Sequence, residues 1–181
     1  MNIKILYIPI GVPTFHLESA QREFDKSVRL LKSINPGVIC PDKMLLDIDS
    51  LNDFLEGKNP DLAIVQNVTF ANAAYISQVL RKTHCPVLLW TLREPQSNGG
   101  RLCLNSLTGA FSAGNTLNAL GRNFEYLLAS PDEAAAESKI KSFISAVALK
   151  KSIESLNILQ VGHTPEGFGF GRALDGEMLK V

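Results

Sequence analysis

Histidine and cysteine are scarce in this chain, three of each in 181 residues, and neither is clustered. Cys40, Cys85 and Cys103 stand far apart without a CxxC pair, and His16, His84 and His163 stand singly. That spacing argues against a disulfide framework and against a structural zinc site. Charge of one sign is lacking too: eighteen Lys plus Arg balance eighteen Asp plus Glu, and the densest basic stretch is Lys150-Lys151. Such a chain has no field with which to gather nucleic acid or an anionic membrane surface, so neither is expected as a partner. No apolar run approaches the ~20 residues that span a bilayer. The opening MNIKILYIPI has neither the length nor the cleavage pattern of an export signal, and the expected setting is a reducing cytoplasm. Phosphate-cradling glycine motifs are missing as well. The turn after the first apolar run reads GVPTFH, and Gly99-Gly100-Arg101 fits neither GxGxxG nor the P-loop pattern.

What is present is an ordinary globular composition, 45% hydrophobic and 20% charged, able to bury a core. Short apolar runs alternate with longer amphipathic ones. Residues 3–10 (IKILYIPI), 38–40, 62–65, 86–90 (PVLLW) and 124–128 (FEYLL) read as five strands. Between them, Leu17, Ala20, Phe24, Val28, Leu31 and Ile34 recur at three- and four-residue steps and mark one helix over 17–34. Further helices are expected from a Ser50 cap through Leu55, over 71–82, from about Asn105 to Gly121, and after Ser130-Pro131-Asp132-Glu133. In the last of these Ser would cap, Pro would take the first helical position and Glu the third. That helix has Ile140, Phe143, Ile144, Val147 and Ala148 on one face. Strict alternation predicts an α/β fold, a doubly wound parallel five-stranded sheet of flavodoxin-like (Rossmann-like) type over residues 1–156. Residues 157–181, with a sixth apolar run NILQVG, read as the start of a second α/β domain at the C-terminus.

In open parallel sheets ligands bind beyond the carboxyl ends of the strands. That rule selects Gly11 to His16, Gln66 to Phe70, and the stretch from Thr91 to Ser106, which is long, glycine-bearing and rich in hydrogen-bonding side chains. Within it, Cys103 and Ser106 are candidate nucleophiles that need a base, for which His16 and His163 are the candidates, although Cys103 also reads as a small packing residue. Arg93 and Glu94 read either as a loop ion pair or as ligands. His84 reads as a helix-end residue favoured by the helix dipole, and Trp90 and Phe111 as core. The small residues Gly109, Ala110, Ala113 and Gly114 suit close backbone packing on the sheet or on another subunit.

Taken together, IPIGVPTFHLE, DLAIVQNVTFANA and PVLLWTLREPQSNGGRLCLNSLTGAFSAGNTLNALGRNFEY resemble the N-terminal domain of the L-fucose isomerase and L-arabinose isomerase superfamily, most closely its fucose-isomerase-like group. The resemblance covers roughly residues 3–175, and VGHTPEGFGF resembles the first strand and turn of that family's second domain. It implies an aldose-ketose isomerase that abstracts a proton and passes through an enediol at a divalent metal, usually manganese. The metal ligands belong to later domains, so no catalytic residue, metal ligand or cofactor is expected in this chain. The resemblance further implies a homo-oligomer in which this domain completes the sugar pocket of a neighbouring subunit. Thr14, Phe15 and His16 after strand one, and Asn67, Thr69 and Phe70 after strand three, would face the sugar. In the third segment Arg101, Asn105 and Ser106 would fix the loop or reach polyol hydroxyls. The group often has an Arg where Val12 stands, an acidic residue where His16 stands and a Cys where Thr108 stands. Two other readings stand beside this one: a stand-alone sugar- or polyol-binding module, and a flavodoxin-like redox protein.

Overall fold

The structure is a computed structural model and describes residues 3–95 and 99–157. Four strands form one sheet in the order β1-β2-β3-β4: β1 (Ile5–Ile10), β2 (Leu62–Asn67), β3 (Val87–Thr91) and β4 (Phe124–Leu128). All three pairings are parallel, with Ile5 opposite Leu62, Ala63 opposite Val87 and Val87 opposite Phe124. Every residue of β1, β2 and β3 is buried. That is the state in which continuous Val/Ile/Leu runs, rather than alternating ones, are stable.

Five helices cover the sheet: α1 (Leu17–Ile34), α2 (Ile48–Leu55), α3 (Ala73–Lys82), α4 (Ser106–Ala119) and α5 (Ala134–Glu154). One face packs α1 and α5 through Phe24, Leu31, Ile140 and Val147 onto Tyr7, Ile64, Leu88 and Trp90. The other packs α2, α3 and α4 through Leu51, Ile76, Val79, Ala113 and Leu117 onto Ile8, Val65 and Leu89. The chain is therefore a doubly wound, flavodoxin-like α/β fold. Among the described residues no helix is long and apolar enough to cross a membrane.

The expected second strand is reduced to two isolated bridges on the free edge of β1, Ile39 with Leu6 and Leu45 with Ile10, so the sheet has, among the described residues, four strands rather than five. Between the bridges Pro41 offers no N–H to a ladder and ends the pairing early. The edge segment still winds the chain outward from β1 before α2 returns it to β2 on the other side, which is the doubly wound order.

Two helix starts also differ from expectation. Asp47, not Ser50, caps α2, its Oδ1 accepting the Ser50 N–H at 2.7 Å. That bond holds the Asp47 carboxyl below its usual range. The Ser-Pro-Asp-Glu run forms a turn, and α5 begins after it, at Ala134. Glu133 still reaches back as expected, its Oε1 accepting the Ser130 N–H at 2.6 Å, and it also accepts from Arg93 Nε at 2.8 Å. Trp90 is core as expected, fully buried with its indole N–H donated to the Ala129 carbonyl at 2.9 Å. Phe111 is not core. It lies 69% exposed on the outer side of α4, because the inner side of that helix is taken by Gly109, Ala110, Ala113 and Leu117. The NILQVG run and the second-domain segment lie, apart from Asn157, outside the described residues.

Candidate functional site

At the carboxyl ends of the strands three loops are stitched to one another, beginning at Gly11. A Cβ there would stand 2.4 Å from Thr69 Oγ1 and 3.1 Å from the Thr69 backbone nitrogen, so the loops after β1 and β2 touch only because the residue is glycine. Thr69, fully buried, clamps the first loop: its Oγ1 accepts the Val12 N–H at 2.8 Å and lies 3.0 Å from the Val12 carbonyl. The loop after β3 then ties both others down. The Cys103 carbonyl accepts the His16 N–H and the Leu104 carbonyl accepts the Phe70 N–H, each at 2.9 Å.

This third loop is held by Glu94, which does not pair with Arg93. Its carboxylate accepts three successive backbone N–H groups, from Cys103 at 2.5 Å, Leu104 at 3.1 Å and Asn105 at 3.0 Å. A carboxylate bonded this way is a charge-assisted tether worth more than neutral bonds. It leads directly into Asn105, whose left-handed backbone (φ 52°) starts α4. Asn105 Oδ1 accepts from the Thr108 hydroxyl at 2.7 Å. Composition alone could not show this role for Glu94, because the three donors come nine to eleven residues later.

The nine sequence-selected residues divide into two groups. Thr14, Phe15, His16, Phe70 and Arg101 share one rim. Phe15 and Phe70 have ring centroids 6.2 Å apart, the Arg101 guanidinium lies 5.3 Å from the centre of the Phe15 ring, and its Nη2 donates to the Thr14 carbonyl at 2.9 Å. Asn67, Thr69 and Ser106 are buried within the fold. Ser106 Oγ donates to the Asn67 carbonyl at 2.5 Å and accepts the Leu92 N–H at 2.9 Å, which locks α4 onto the ends of β2 and β3. Asn105 lies between the groups, half-buried.

His16 has a role that its residue type does not advertise. It caps α1, with Nδ1 accepting the Ser19 N–H at 3.3 Å and 2.8 Å from Ser19 Oγ. A capping Nδ1 is an acceptor, so the neutral ring carries its proton on Nε2. The Arg22 guanidinium, at 2.9 Å from Ser19 Oγ, points that hydroxyl proton toward Nδ1.

Thr14, Phe15, His16, Arg101, Leu102 and Cys103 line a cleft of about 320 Å³. A neighbouring cleft of about 340 Å³ runs along the start of α4 past Arg93, Leu102, Leu107 and Leu128. A larger cavity, about 600 Å³, lies at the amino ends of the strands between Asp61, His84, Arg122 and Lys151. Two of its charges, Asp61 and Lys151, pair with each other at 2.6 Å. We place the site at the carboxyl ends, where the loops converge and where open parallel sheets bind ligands.

No hydrogen bond joins the side chain of Cys103 or Ser106 to a histidine among the described residues, and His163 lies outside them. Nor do the described residues contain any group of three or more His, Cys, Asp or Glu able to hold a metal ion. They do not fit manganese, and no metal-dependent step is assigned to them. The rim offers donors, an aromatic wall and one guanidinium, that of Arg101, with no carboxylate partner among the described residues.

No family model matches the chain. It is 58% identical over 177 residues to a sulfoquinovose isomerase of Clostridium sp. (strain MSTE9), a match covering 97% of this chain and 40% of that protein. It is 36% identical over 180 residues to the sulfoquinovose isomerase of Priestia megaterium (strain ATCC 12872 / QMB1551), covering 98% and 40%. The figure for that of Alkalicoccus urumqiensis is 33% over 181 residues, covering 99% and 40%. Among solved structures, an azoreductase from Bacillus anthracis str. Sterne superposes loosely, with a TM-score of 0.33 and 13% identity, covering 82% of this chain and 98% of that one. The chain spans about 40% of the length of the curated relatives it matches and is, over that span, sugar-isomerase-like.

Proposed function

We propose that this chain is the substrate-pocket-completing domain of a metal-dependent aldose-ketose isomerase-like protein, acting on a sulfonated aldohexose of the kind its relatives' name denotes, and that it is catalytically silent alone. The relation to the fucose-isomerase-like group, the manganese requirement and the homo-oligomer belong to the same proposal. The observation that carries it is the stitched rim of Thr14, Phe15, His16, Phe70 and Arg101, present in a chain 58% identical to a sulfoquinovose isomerase. Such a rim binds and orients. It offers hydroxyl, imidazole and guanidinium groups to polyol oxygens and an aromatic wall to a sugar face, and it places no acid–base pair at a carbon-bound proton.

The test is an aldose-to-ketose assay of the purified 181-residue chain with sulfoquinovose and added manganese, run beside the same chain extended to the full length of its relatives. The expected result is no ketose from the short chain and ketose from the long one. Ketose from the short chain would overturn the reading, as would an inactive full-length protein.

A further inference from the structure

We infer that Arg101 and His16 form the subsite that reads the sulfonate of the substrate, an inference that rests on the sugar-isomerase reading above. A sulfonate stays ionised at every physiological pH, accepts through three oxygens and donates nothing, so a site for it needs fixed donors, positive charge and no facing carboxylate. The cleft of about 320 Å³ meets each requirement with residues already on the page.

Arg101 is its cation. Two contacts hold the guanidinium, the Phe15 ring at 5.3 Å and the Thr14 carbonyl at 2.9 Å from Nη2. Neither is a carboxylate, and among the described residues Arg101 has no acidic partner. The rest of its donor fork is available to a ligand, and the stacked, pre-oriented arginine loses little freedom on binding. His16 is the second donor. With Nδ1 committed to capping α1, its Nε2–H is the free end of the ring, and the ring lines the same cleft. Thr14 adds a hydroxyl.

The nearby carboxylates are occupied elsewhere. Glu94 is bound by three backbone N–H groups, and Glu18 pairs with Arg22 at 2.7 Å. Among the described residues no carboxylate lines the cleft. The contrast with the cavity at the opposite end is direct, since there Asp61 and Glu154 stand among the cations.

The experiment is a titration of the isotope-labelled 181-residue chain with sulfoquinovose, glucose and glucose 6-phosphate, followed by the Arg101 Nε–H, His16 ring and Leu17 amide resonances. Sulfoquinovose is expected to shift all three, and glucose to leave them in place. Arg101→Gln should weaken the sulfonated ligand about tenfold or more, the size of a lost charge-assisted bond. Thermal stability should be unchanged in that variant, because the side chain is exposed. His16→Asn keeps a good helix cap while deleting the Nε2–H, and should weaken the ligand about threefold with the melting temperature preserved. His16→Asp, also a good cap, adds a repelling charge and should cost more.

Equal shifts with glucose would overturn the subsite and leave the sugar-isomerase reading standing. Tighter binding of glucose 6-phosphate than of sulfoquinovose would overturn the assignment to sulfonate. Sulfonate-dependent shifts elsewhere, or shifts at these residues that survive Arg101→Gln, would overturn the location. Failure of every ligand to move these residues would overturn the inference, whereas the isomerase reading falls only by the ketose assay.

Discussion

Gln66 and Asn67 are neighbours on β2, carry the same amide and are both fully buried, yet they sit in opposite circumstances. Gln66 points to the α1/α5 face. There its Oε1 accepts the Tyr7 hydroxyl at 2.5 Å, its Nε2 donates to Ser27 Oγ at 2.9 Å, and Ser27 passes its own proton to the Glu23 carbonyl at 2.7 Å. Burial pushes the Tyr7 phenol well above its usual range, so it stays a donor. Asn67 points to the α3/α4 face, and neither side-chain atom has a partner, nor does Thr91 Oγ1 on the strand alongside. A satisfied buried network rigidifies what it joins, whereas an orphaned amide costs free energy on the order of 1–3 kcal/mol. The network around Gln66 that anchors α1 is thus complete, although Glu23 Oε2 on the same helix has no partner, while beneath α4, next to the proposed site, Asn67 and Thr91 carry their polar groups unspent.

The sharpest way to break this contrast is Gln66→Leu. It strands the fully buried Tyr7 hydroxyl and takes one of two partners from Ser27, and should cost about 3 kcal/mol in a urea unfolding titration. Asn67→Ala, one residue later, removes no protein hydrogen bond and should cost about 1 kcal/mol or less. Equal losses would mean that the two faces do not differ.

Gly109→Ala probes how tightly the α4 face is closed. A Cβ there would lie 2.6 Å from Asn67 Nδ2 and 2.9 Å from the Ala71 backbone nitrogen. We expect a loss of about 2 kcal/mol from overpacking. Because one of the two close atoms belongs to Asn67, adding Asn67→Ala should recover part of that loss. The remainder is set by the Ala71 backbone, which cannot yield.

This difference between the faces is also where reading the sequence reached its limit. Periodicity located α1 at Leu17–Ile34 to the residue, since burial of one helix face leaves its mark on every third or fourth position, and the short run FEYLL located β4 at Phe124–Leu128. The rule that ligands gather at strand ends found the three loops that meet. It could not sort them, because Thr69 and Ser106 carry the same hydroxyls as Thr14 while serving backbone groups far away in the chain. Long-range satisfaction likewise took Glu94 to residues 103–105 and gave Glu133, which keeps its bond to the Ser130 N–H, a second partner in Arg93. His16 was selected for the ligand, and its capping of α1 was hidden by a residue type seldom used for that purpose.

The smallest expected effects give the finest test of the comparison. Ser27→Ala and Thr91→Val each delete one fully buried hydroxyl, one from each face. Ser27 is bonded twice, so its loss orphans the Gln66 amide and should cost about 1–2 kcal/mol. Thr91→Val is isosteric, suits a strand and removes a group that has no protein partner, so stability should hold within about 0.5 kcal/mol or rise slightly. A loss above about 1 kcal/mol for Thr91→Val would show that this hydroxyl is bonded in solution after all. The unspent polar groups beneath α4 would then belong to a network as complete as the one around Gln66, and the proposed site would rest on a floor as rigid as the rest of the sheet.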